Sequence, residues 1–451
     1  MTRHLASPLW RLTALGFGLA AIEIGALAIH LPGADTVGSI GRANLFVAVV
    51  GAGLVPYVLS VRLVLRARLP RQALWLILGL AVAMRAALLP APPFLSSDIY
   101  RYVWDGRVQA AGINPYRHIP ADPVLAPLRD AAVYPLINRR DYARTIYPPA
   151  AEAVFGAVGR ISDTVVAMKL AMLAFEILGV VCLLGVLRIA GLPPERILIY
   201  AWNPLALWSF ACDGHVDALS VGLLGLALWL RARHRDAFAG AALAAAALVK
   251  FLPLAVAPAF VRGGNLGRPA LAGLLVIALL YLPYLGAGLD LFGFLAGYGA
   301  EEGYDTGAGY WLLAGLGHLG VPYAALRLPY LALSAGGLAT LALWIAFVRA
   351  DRGEPDVVTL CRDAAVLAGL ATFAASPHYA WYYPWISLPA VVAPLPAAVW
   401  LGSAPLLFLI DPFNDRFLWP SLVFVPAIVL AARTHWRGRR NVWILRQGAA
   451  R

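Results

Sequence analysis

One short stretch of the chain concentrates side chains that could transfer a proton. Residues 96–107 follow a group of prolines that ends a long apolar segment. A serine at the start of this stretch, Ser96 or Ser97, can cap a helix. Four functional side chains then recur at helical spacing and share one face of that helix: Asp98, Arg101, Tyr102 and Asp105. The stretch therefore predicts a helix that presents two carboxylates and a guanidinium on one side.

Asp98 is the first candidate for a general base. It falls in the first turn of the predicted helix, where the helix N-terminus stabilises an anion and keeps the pKa of a carboxyl low. An ionised, partly dehydrated carboxylate can accept a proton from a hydroxyl group. Asp105 lies two turns on, flanked by Arg101, and is expected to orient its neighbours. The simpler alternative is a solvated helix at the membrane interface with ordinary salt bridges.

Two further motifs carry ionisable groups at the ends of apolar segments. Asp213, His215 and Asp217 lie within five residues of one another, and ionisable residues near membrane depth are functional candidates. Substrate contacts or hydrogen bonds explain them better than a divalent metal does, because their spacing is not diagnostic of a metal. Lys250 lies inside an apolar segment and could line a cavity or extend towards the cytoplasm.

The remaining candidates are aromatic or precede proline. Tyr116 belongs to a turn-forming Asn-Pro-Tyr stretch. Tyr147 is held extended by the two prolines that follow it, so the segment of Tyr147 can shape a pocket wall. Residues 376–385 contain His378, Tyr379 and Tyr382. This cluster is either an aromatic belt at the membrane interface or a site for a sugar ring, with His378 binding a phosphate or assisting proton transfer.

The composition places these residues in a membrane protein. Of the 451 residues, 61% are hydrophobic and 13% are charged, whereas a soluble domain has about a quarter of its residues charged. The apolar residues form blocks of about 20, the length of a helix that crosses a bilayer. The net charge of +12 comes mostly from loops, so it is a topology signal and does not indicate nucleic-acid binding. The three cysteines have no metal-ligand spacing and are expected to be small buried residues.

We predict an all-α integral membrane protein with about twelve membrane spans. Their expected positions are 10–31, 43–66, 72–91, 164–188, 195–212, 215–232, 268–286, 323–348, 358–376, 381–397, 400–413 and 417–433. The first is expected to be an uncleaved helix and not a signal peptide. Residues 237–262 instead predict a broken helical hairpin, because Lys250 and Pro253 interrupt them and basic loops flank both ends.

The basic residues indicate which side of the membrane each loop faces. Arginines such as Arg62, Arg188 and Arg233 collect on one side, which should be cytoplasmic. Loops 92–163, 287–322 and 376–385 then face the periplasm or the exterior. Loop 92–163 is nevertheless rich in arginine. Either long loops escape the charge rule, or these arginines meet phosphate, for which arginine is well suited.

Taken together, the motifs resemble a known group of enzymes. The ordered set runs through 97–106, Asn114-Pro115-Tyr116, Tyr147-Pro148-Pro149, Trp202-Asn203-Pro204, Gly214-His215-Val216-Asp217 and Lys250-Phe251-Leu252-Pro253. It is similar to the polytopic glycosyltransferases of the GT-C superfamily, and most similar to glycosyltransferase family 87. That family includes mycobacterial mannosyltransferases that use polyprenol-phosphate mannose. The resemblance covers roughly residues 72–385.

The resemblance implies a GT-C-type fold and an inverting transfer of a hexose, which family precedent makes mannose, from a polyprenyl-phosphate donor to a lipid or glycan acceptor. Asp98 would be the base, with Asp105 as the fallback. Arginines Arg101, Arg107 and Arg144, with His378, would stabilise the departing phosphate. Substrate contacts are expected at Tyr102, Tyr116, Tyr147, Asp213, His215, Asp217, Lys250, Tyr379 and Tyr382. No cofactor is implied, and a metal is not favoured.

The expected organisation is one polytopic membrane domain over residues 1–451 in the inner (plasma) membrane. Residues 10–66 would be an added helix pair, 72–385 the GT-C-like core with its catalytic outer loop 92–163, and 400–451 the C-terminal helices and cytoplasmic tail. The alternative function is a transporter or flippase of a lipid-linked sugar. The two halves of the chain show no clear duplicated pattern of broken helices, which favours an enzyme.

Overall fold

The structure, a computed structural model, describes residues 7–29, 40–261, 266–348, 356–410 and 416–448. The ends of the predicted spans at residues 31, 411–413 and the hairpin boundary at residue 262 lie outside these ranges. The described residues form helices and loops without a β-strand. The long α-helices are Pro8–Gly25, Ile40–Ala52, Leu54–Arg66, Gln72–Leu88, Asp98–Ala110, Pro149–Ile161, Val165–Ile189, Asp217–Ala232, Asp236–Ala247, Gly267–Tyr281, Tyr323–Leu343, Val357–Ala375 and Leu418–Gly448.

Shorter pieces connect the long helices. The short α-helices are Leu198–Ala201, Pro204–Ala206, Ala257–Phe260, Leu295–Glu301, Trp311–His318, Ser387–Val392 and Pro396–Leu401. Wider π-helical turns occur at Leu207–Cys212 and Trp344–Val348. The 3₁₀ turns are Ala26–Ala28, Pro115–Arg117, Pro123–Leu128, Tyr134–Leu136, Pro194–Ile197, Leu252–Val256, Leu282–Phe292, Ala380–Tyr382, Pro384–Ile386 and Ala404–Leu409.

Seven helical segments in the described part of the chain are long and apolar enough to cross a membrane, or eight if one bent pair forms a single span. The prediction of a helical membrane protein agrees with this, but the count of twelve is not confirmed. The difference lies mainly in segments rich in proline. Residues 381–397, predicted as one span, form several short helices, because Pro384, Pro389 and Pro396 interrupt the backbone hydrogen bonds.

The bent pair consists of Pro204–Cys212 and Asp217–Ala232, whose axes differ by 119°. The turn between them depends on Gly214, which has a φ of +62°. A side chain there would overlap Ile99 and Lys169, so glycine is needed both for the backbone conformation and for the space. This sharp turn brings the segment that carries His215 against the start of the helix that carries Asp98.

Loop 92–163 and the region predicted as a hairpin each have one feature that matters for the site. In loop 92–163, helices Asp98–Ala110 and Pro149–Ile161 pack closely where Gly106 faces Gly159. In the region predicted as a hairpin, helix Asp236–Ala247 ends before Lys250, and the chain resumes at Leu252–Val256. Since a broken helix is tolerated at membrane depth where it lines a cavity, this interruption marks a candidate site.

The first helices belong to the same continuous hydrophobic core as the rest of the chain. Helix Pro8–Gly25 packs against Leu54–Arg66 and Gln72–Leu88. Its buried Glu23 accepts a hydrogen bond of 2.7 Å from the indole of Trp208. The N-terminal helices therefore contact the segment that leads to His215.

Candidate functional site

The start of helix Asp98–Ala110 is fixed by two polar contacts. The Ser96 hydroxyl accepts a hydrogen bond of 3.1 Å from the backbone amide of Asp98. The carboxylate of Asp213 accepts hydrogen bonds from the amides of Phe94 and Leu95, at 2.6 and 3.0 Å. Because buried amides need acceptors, Asp213 fastens the approach to the helix. In this structure Asp213 therefore contacts the backbone that positions Asp98.

Asp98 lies at one end of a chain of ionisable groups. One oxygen of its carboxylate is 3.1 Å from Nε2 of His215, and the other accepts a hydrogen bond of 2.6 Å from the side-chain amide of Asn138. Nδ1 of His215 is 2.6 Å from Asp217, and Lys250 Nζ is 2.8 Å from the same Asp217 oxygen. Ionised carboxylates only accept hydrogen bonds, so His215 donates from both nitrogens as an imidazolium when both aspartates are charged.

This environment keeps Asp98 ionised. Burial raises the pKa of a carboxyl group, but hydrogen bonds from His215 and Asn138 and the positive charges of His215 and Lys250 outweigh burial and lower the pKa of Asp98 to about 2. The ring of His215 is held in place by stacking on Trp381, with 4.6 Å between the ring centroids. The Asp98 side chain, about one-fifth exposed, is accessible enough to meet a substrate.

Asp98 opens onto a cavity of about 750 Å³, named here the main cavity. Such a volume is typical of a site for a small molecule. Its polar wall carries four basic side chains, Arg101, Arg139, Arg144 and Lys250. Apolar side chains that are 40–57% exposed, Phe251, Leu254 and Leu295, line another part of it. The cavity therefore combines a charged wall with an apolar wall.

The structure brings most of the predicted site residues to the main cavity or directly behind it. Those that line the cavity are Asp98, Arg101, Arg144, Tyr147, Lys250, Tyr379 and Tyr382. His215 and Asp217 lie one layer behind Asp98. The hydroxyl of Tyr102 lies 3.4 Å from Nε2 of His215 and accepts a hydrogen bond from the amide of Val216. Tyr102 therefore helps to hold the turn that carries His215.

Asp105 and Arg107 contact protein groups instead of the cavity. Both Asp105 oxygens accept hydrogen bonds from Nε of Arg101, at 2.8 and 2.9 Å. Arg107 forms ion pairs with Asp130 and Asp163, at 2.7 and 2.9 Å. Asp105 thus orients a guanidinium that does line the cavity, whereas Arg107 fastens the outer loop.

Tyr116 and His378 also lie outside the lining of the main cavity. The hydroxyl of Tyr116 donates a hydrogen bond of 2.6 Å to the carbonyl oxygen of Tyr147. Nδ1 of His378 is 2.6 Å from the buried Glu302, and its Nε2 donates to the carbonyl oxygen of Gly309 at 2.8 Å. Both nitrogens of His378 are therefore occupied by protein groups, which fixes its ring beside Glu302.

Wall residues that were not among the predicted site residues include Asn138, Arg139, Tyr298 and Trp381. Arg139 has a φ of +55°, an uncommon conformation for a side chain of this size, and its Nε donates to Glu301 at 2.6 Å. Arg139 and Arg140 stand out in the sequence, but no spacing linked them to Asp98. Asn138, the residue before them that bonds Asp98, is 40 residues away from it.

The ionisable cluster around Asp98 contains residue types that can bind a metal, two carboxylates and a histidine. Within the described ranges, no three histidine, cysteine or carboxylate side chains are arranged to share a metal ion. His215 lies between Asp98 and Asp217 with one nitrogen towards each, so its nitrogens bind carboxylates directly.

The described fold is that of a helical membrane protein with an ionised carboxylate at the wall of a partly apolar cavity. The sequence model of the MptA_B family, "Alpha-(1->6)-mannopyranosyltransferase, N-terminal domain", matches residues 5–263, more than half of the chain. The chain belongs to this family and is a glycosyltransferase, specifically a mannosyltransferase. No curated protein and no solved structure matches it. The family match supports the GT-C type that the motifs resemble, and the narrower assignment to family 87 stays a prediction.

Replacing Asp213 tests how Asp98 is positioned. We expect Asp213→Ala to leave the Phe94 and Leu95 amides without an acceptor, at a cost of about 1–3 kcal/mol for each unpaired group. Hydrogen exchange measured by mass spectrometry should accelerate over residues 94–101. Asp213→Asn is the matched control, because it keeps one acceptor oxygen and should exchange more slowly than the alanine variant. Equal exchange in wild type and Asp213→Ala would contradict this role.

Proposed function

We propose that this mannosyltransferase takes mannose from a polyprenyl-phosphate carrier and transfers it, with inversion, to a hydroxyl of a lipid or glycan acceptor. The observation that carries the proposal is the placement of Asp98. Its carboxylate is ionised, faces the main cavity, and is held by His215 and Asn138. A fixed carboxylate beside an acceptor hydroxyl is suited to general-base catalysis.

In the proposed reaction, Asp98 accepts the proton of the acceptor hydroxyl as that oxygen attacks the anomeric carbon of mannose. The bond between the anomeric carbon and the phosphate oxygen breaks, and polyprenyl phosphate leaves with the bonding electrons. An α-linked product, as the family description names for its members, then requires a β-linked donor. The proton remains on Asp98 until it is released to solvent, which restores the starting charge.

The basic wall of the main cavity supports a phosphate-bearing donor. Nη2 of Arg101 is buried and has no hydrogen-bond partner among the described residues, although its Nε and Nη1 are occupied by Asp105 and Ala143. Arg139 also lines the cavity and is held by Glu301. Positive charge placed where negative charge develops stabilises a leaving phosphate. We assign this role to Arg101, Arg139 and Arg144, and a supporting role behind the wall to His378, which holds Glu302.

The aromatic wall supports a sugar. Tyr379 stacks on Trp381 with 4.7 Å between the ring centroids, and Trp381 stacks on His215. Lys250 Nζ lies 3.5 Å from the centroid of the Tyr382 ring. These rings form a surface next to Asp98 against which an apolar face of mannose can pack. We further propose that the reaction needs no metal, since the donor carries one phosphate group and arginines surround it.

Asp98→Asn tests the assignment of the base. The amide cannot accept the proton, and loss of a general base costs about 10²–10⁴-fold in rate. The assay incubates purified protein with polyprenyl-phosphate mannose and an α-mannoside acceptor, with and without a chelator, and detects the new glycosidic bond. Asp141→Asn, an exposed carboxylate elsewhere in the outer loop, is the matched control and should keep wild-type activity. Near wild-type transfer by Asp98→Asn would remove Asp98 as the base.

The wild-type arm of the same assay separates an enzyme from a transporter. A new sugar linkage made by the purified chain excludes transport as its sole activity. Loss of transfer in chelator would instead assign a metal to the site.

His215→Gln should change the pH dependence of transfer. The wild-type pKa of Asp98 is lowered to about 2, so the base stays ionised at ordinary assay pH. Without the imidazolium, burial raises that pKa, and activity is lost as pH falls through the higher value. The acidic limb of the pH–rate profile should therefore move to higher pH while alkaline rates are affected less. An unchanged acidic limb would show that His215 does not control the ionisation of Asp98.

We also propose that the main cavity opens on the extracytoplasmic side of the inner (plasma) membrane, because basic residues collect at the opposite ends of the helices. A cysteine replacing the exposed Ala131 in the outer loop should react with an impermeant thiol reagent in intact cells. Arg233→Cys, on the proposed cytoplasmic side, should react only after permeabilisation. The native cysteines are all buried, which keeps the background low. Protection of residue 131 in intact cells would reverse the orientation.

A further inference from the structure

A second carboxyl group, that of Glu152, lies behind the ion pair of Arg101 and Asp105 and is fully buried. The helix that carries Glu152 packs closely against the helix that carries Asp105, because Gly106 meets Gly159 where the two helices touch. This packing places the carboxyl groups of Asp105 and Glu152 in hydrogen-bonding contact. Asp105 is also buried, so both acids are removed from water.

Both oxygens of Glu152 also accept hydrogen bonds from neutral groups. The hydroxyl of Thr145 donates to Oε1 at 2.6 Å, and the side-chain amide of Gln109 donates to Oε2 at 2.8 Å. Oε1 of Gln109 in turn accepts a hydrogen bond of 2.8 Å from the hydroxyl of Tyr284, which fixes the orientation of this amide. Neither donor is charged, so neither balances a negative charge on Glu152.

The contact between the two carboxyl groups requires a proton. Two ionised carboxylates only accept hydrogen bonds, so one of the acids must supply the donor. Nε of Arg101 donates to both oxygens of Asp105, which makes Asp105 the ionised member and Glu152 the protonated one. One negative and one positive charge then remain, and they cancel. Burial and the negative charge of Asp105 also raise the pKa of Glu152 well above its usual range.

We infer that Glu152 is a positioning residue for the donor phosphate: as a neutral acid it donates a hydrogen bond to Asp105, which holds Arg101. This rests on the proposed function, in which Arg101 stabilises the leaving phosphate. Nη1 of Arg101 donates to the carbonyl oxygen of Ala143 at 3.0 Å, so Nη2 is left for the phosphate. A second ionised carboxylate behind Arg101 would make the local charge negative and repel the phosphate.

Infrared spectroscopy of the purified protein tests the proton directly. At neutral pH the wild type should show the carbonyl stretch of a protonated carboxylic acid, and Glu152→Gln should lack it. The difference spectrum between the two proteins isolates this group from other buried acids. If the band that disappears is instead that of an ionised carboxylate, the inference is wrong. No mannosyl donor enters this measurement, so its result does not depend on the proposed function.

Transfer kinetics test the positioning role. Glu152→Leu cannot donate to Asp105, so we expect kcat/KM for the donor to fall by about tenfold or more, the scale for losing a hydrogen bond to a charged group. Glu152→Gln should recover most of this loss, because its amide nitrogen can donate to Asp105. The matched control is Ala157→Leu, on the exposed side of the same helix, which should behave as wild type. KM for the acceptor should stay unchanged throughout.

The kinetic outcomes separate a positioning role from a structural one. If Glu152→Gln loses as much activity as Glu152→Leu, a hydrogen bond from position 152 does not position Arg101. If Glu152→Leu raises KM for the acceptor as much as KM for the donor, Glu152 supports the fold and not the phosphate site. If the wild type shows the infrared band but transfers no mannose from polyprenyl phosphate, the proposed function fails while the proton on Glu152 stands.

Discussion

An ionised carboxylate in a partly apolar cavity is the constraint on which the site depends. Asp98 alone would be protonated by burial, because a charge is costly to remove from water. The protein offsets this cost with charges of alternating sign through Asp98, His215, Asp217 and Lys250. When all four are ionised, their charges cancel. Removing one member leaves an unpaired buried charge. The free-energy cost of that charge is larger than the stabilisation that the intact pair provides.

Each of these charged residues lies at a helix end or in a gap between helices. Asp98 begins a helix after a proline-rich turn, and His215 lies in the turn of the bent pair, next to Gly214. Lys250 occupies the gap in the interrupted hairpin. Helix ends and gaps free the backbone to bring side chains from three regions to one place. His215 and Asp217 are buried behind Asp98, and burial strengthens the electrostatic interactions between these groups.

The sequence predicted these individual elements better than it predicted which of them contact one another. Helical spacing placed Asp98, Arg101 and Tyr102 on one face, and the structure has all three at the site. Proline spacing indicated the break near Lys250. The same reasoning gave twelve spans, whereas the described residues form seven or eight long apolar helices, because hydropathy alone does not distinguish one long helix from several short ones joined at prolines. It also placed Arg107 with the arginines of the site, whereas Arg107 pairs with Asp130 and Asp163 outside the lining of the main cavity.

The sequence by itself determined that this chain is a helical membrane protein with a long polar loop at residues 92–163, since composition and periodicity are local properties that each segment carries alone. Asp98 was visible as a candidate base for the same reason. Only the tertiary structure decided its partners. Asn138 and His215 are separated from it by 40 and 117 residues, and Trp381 is farther still. Contacts at such separations are set by packing of whole helices, and no local pattern in the chain encodes them.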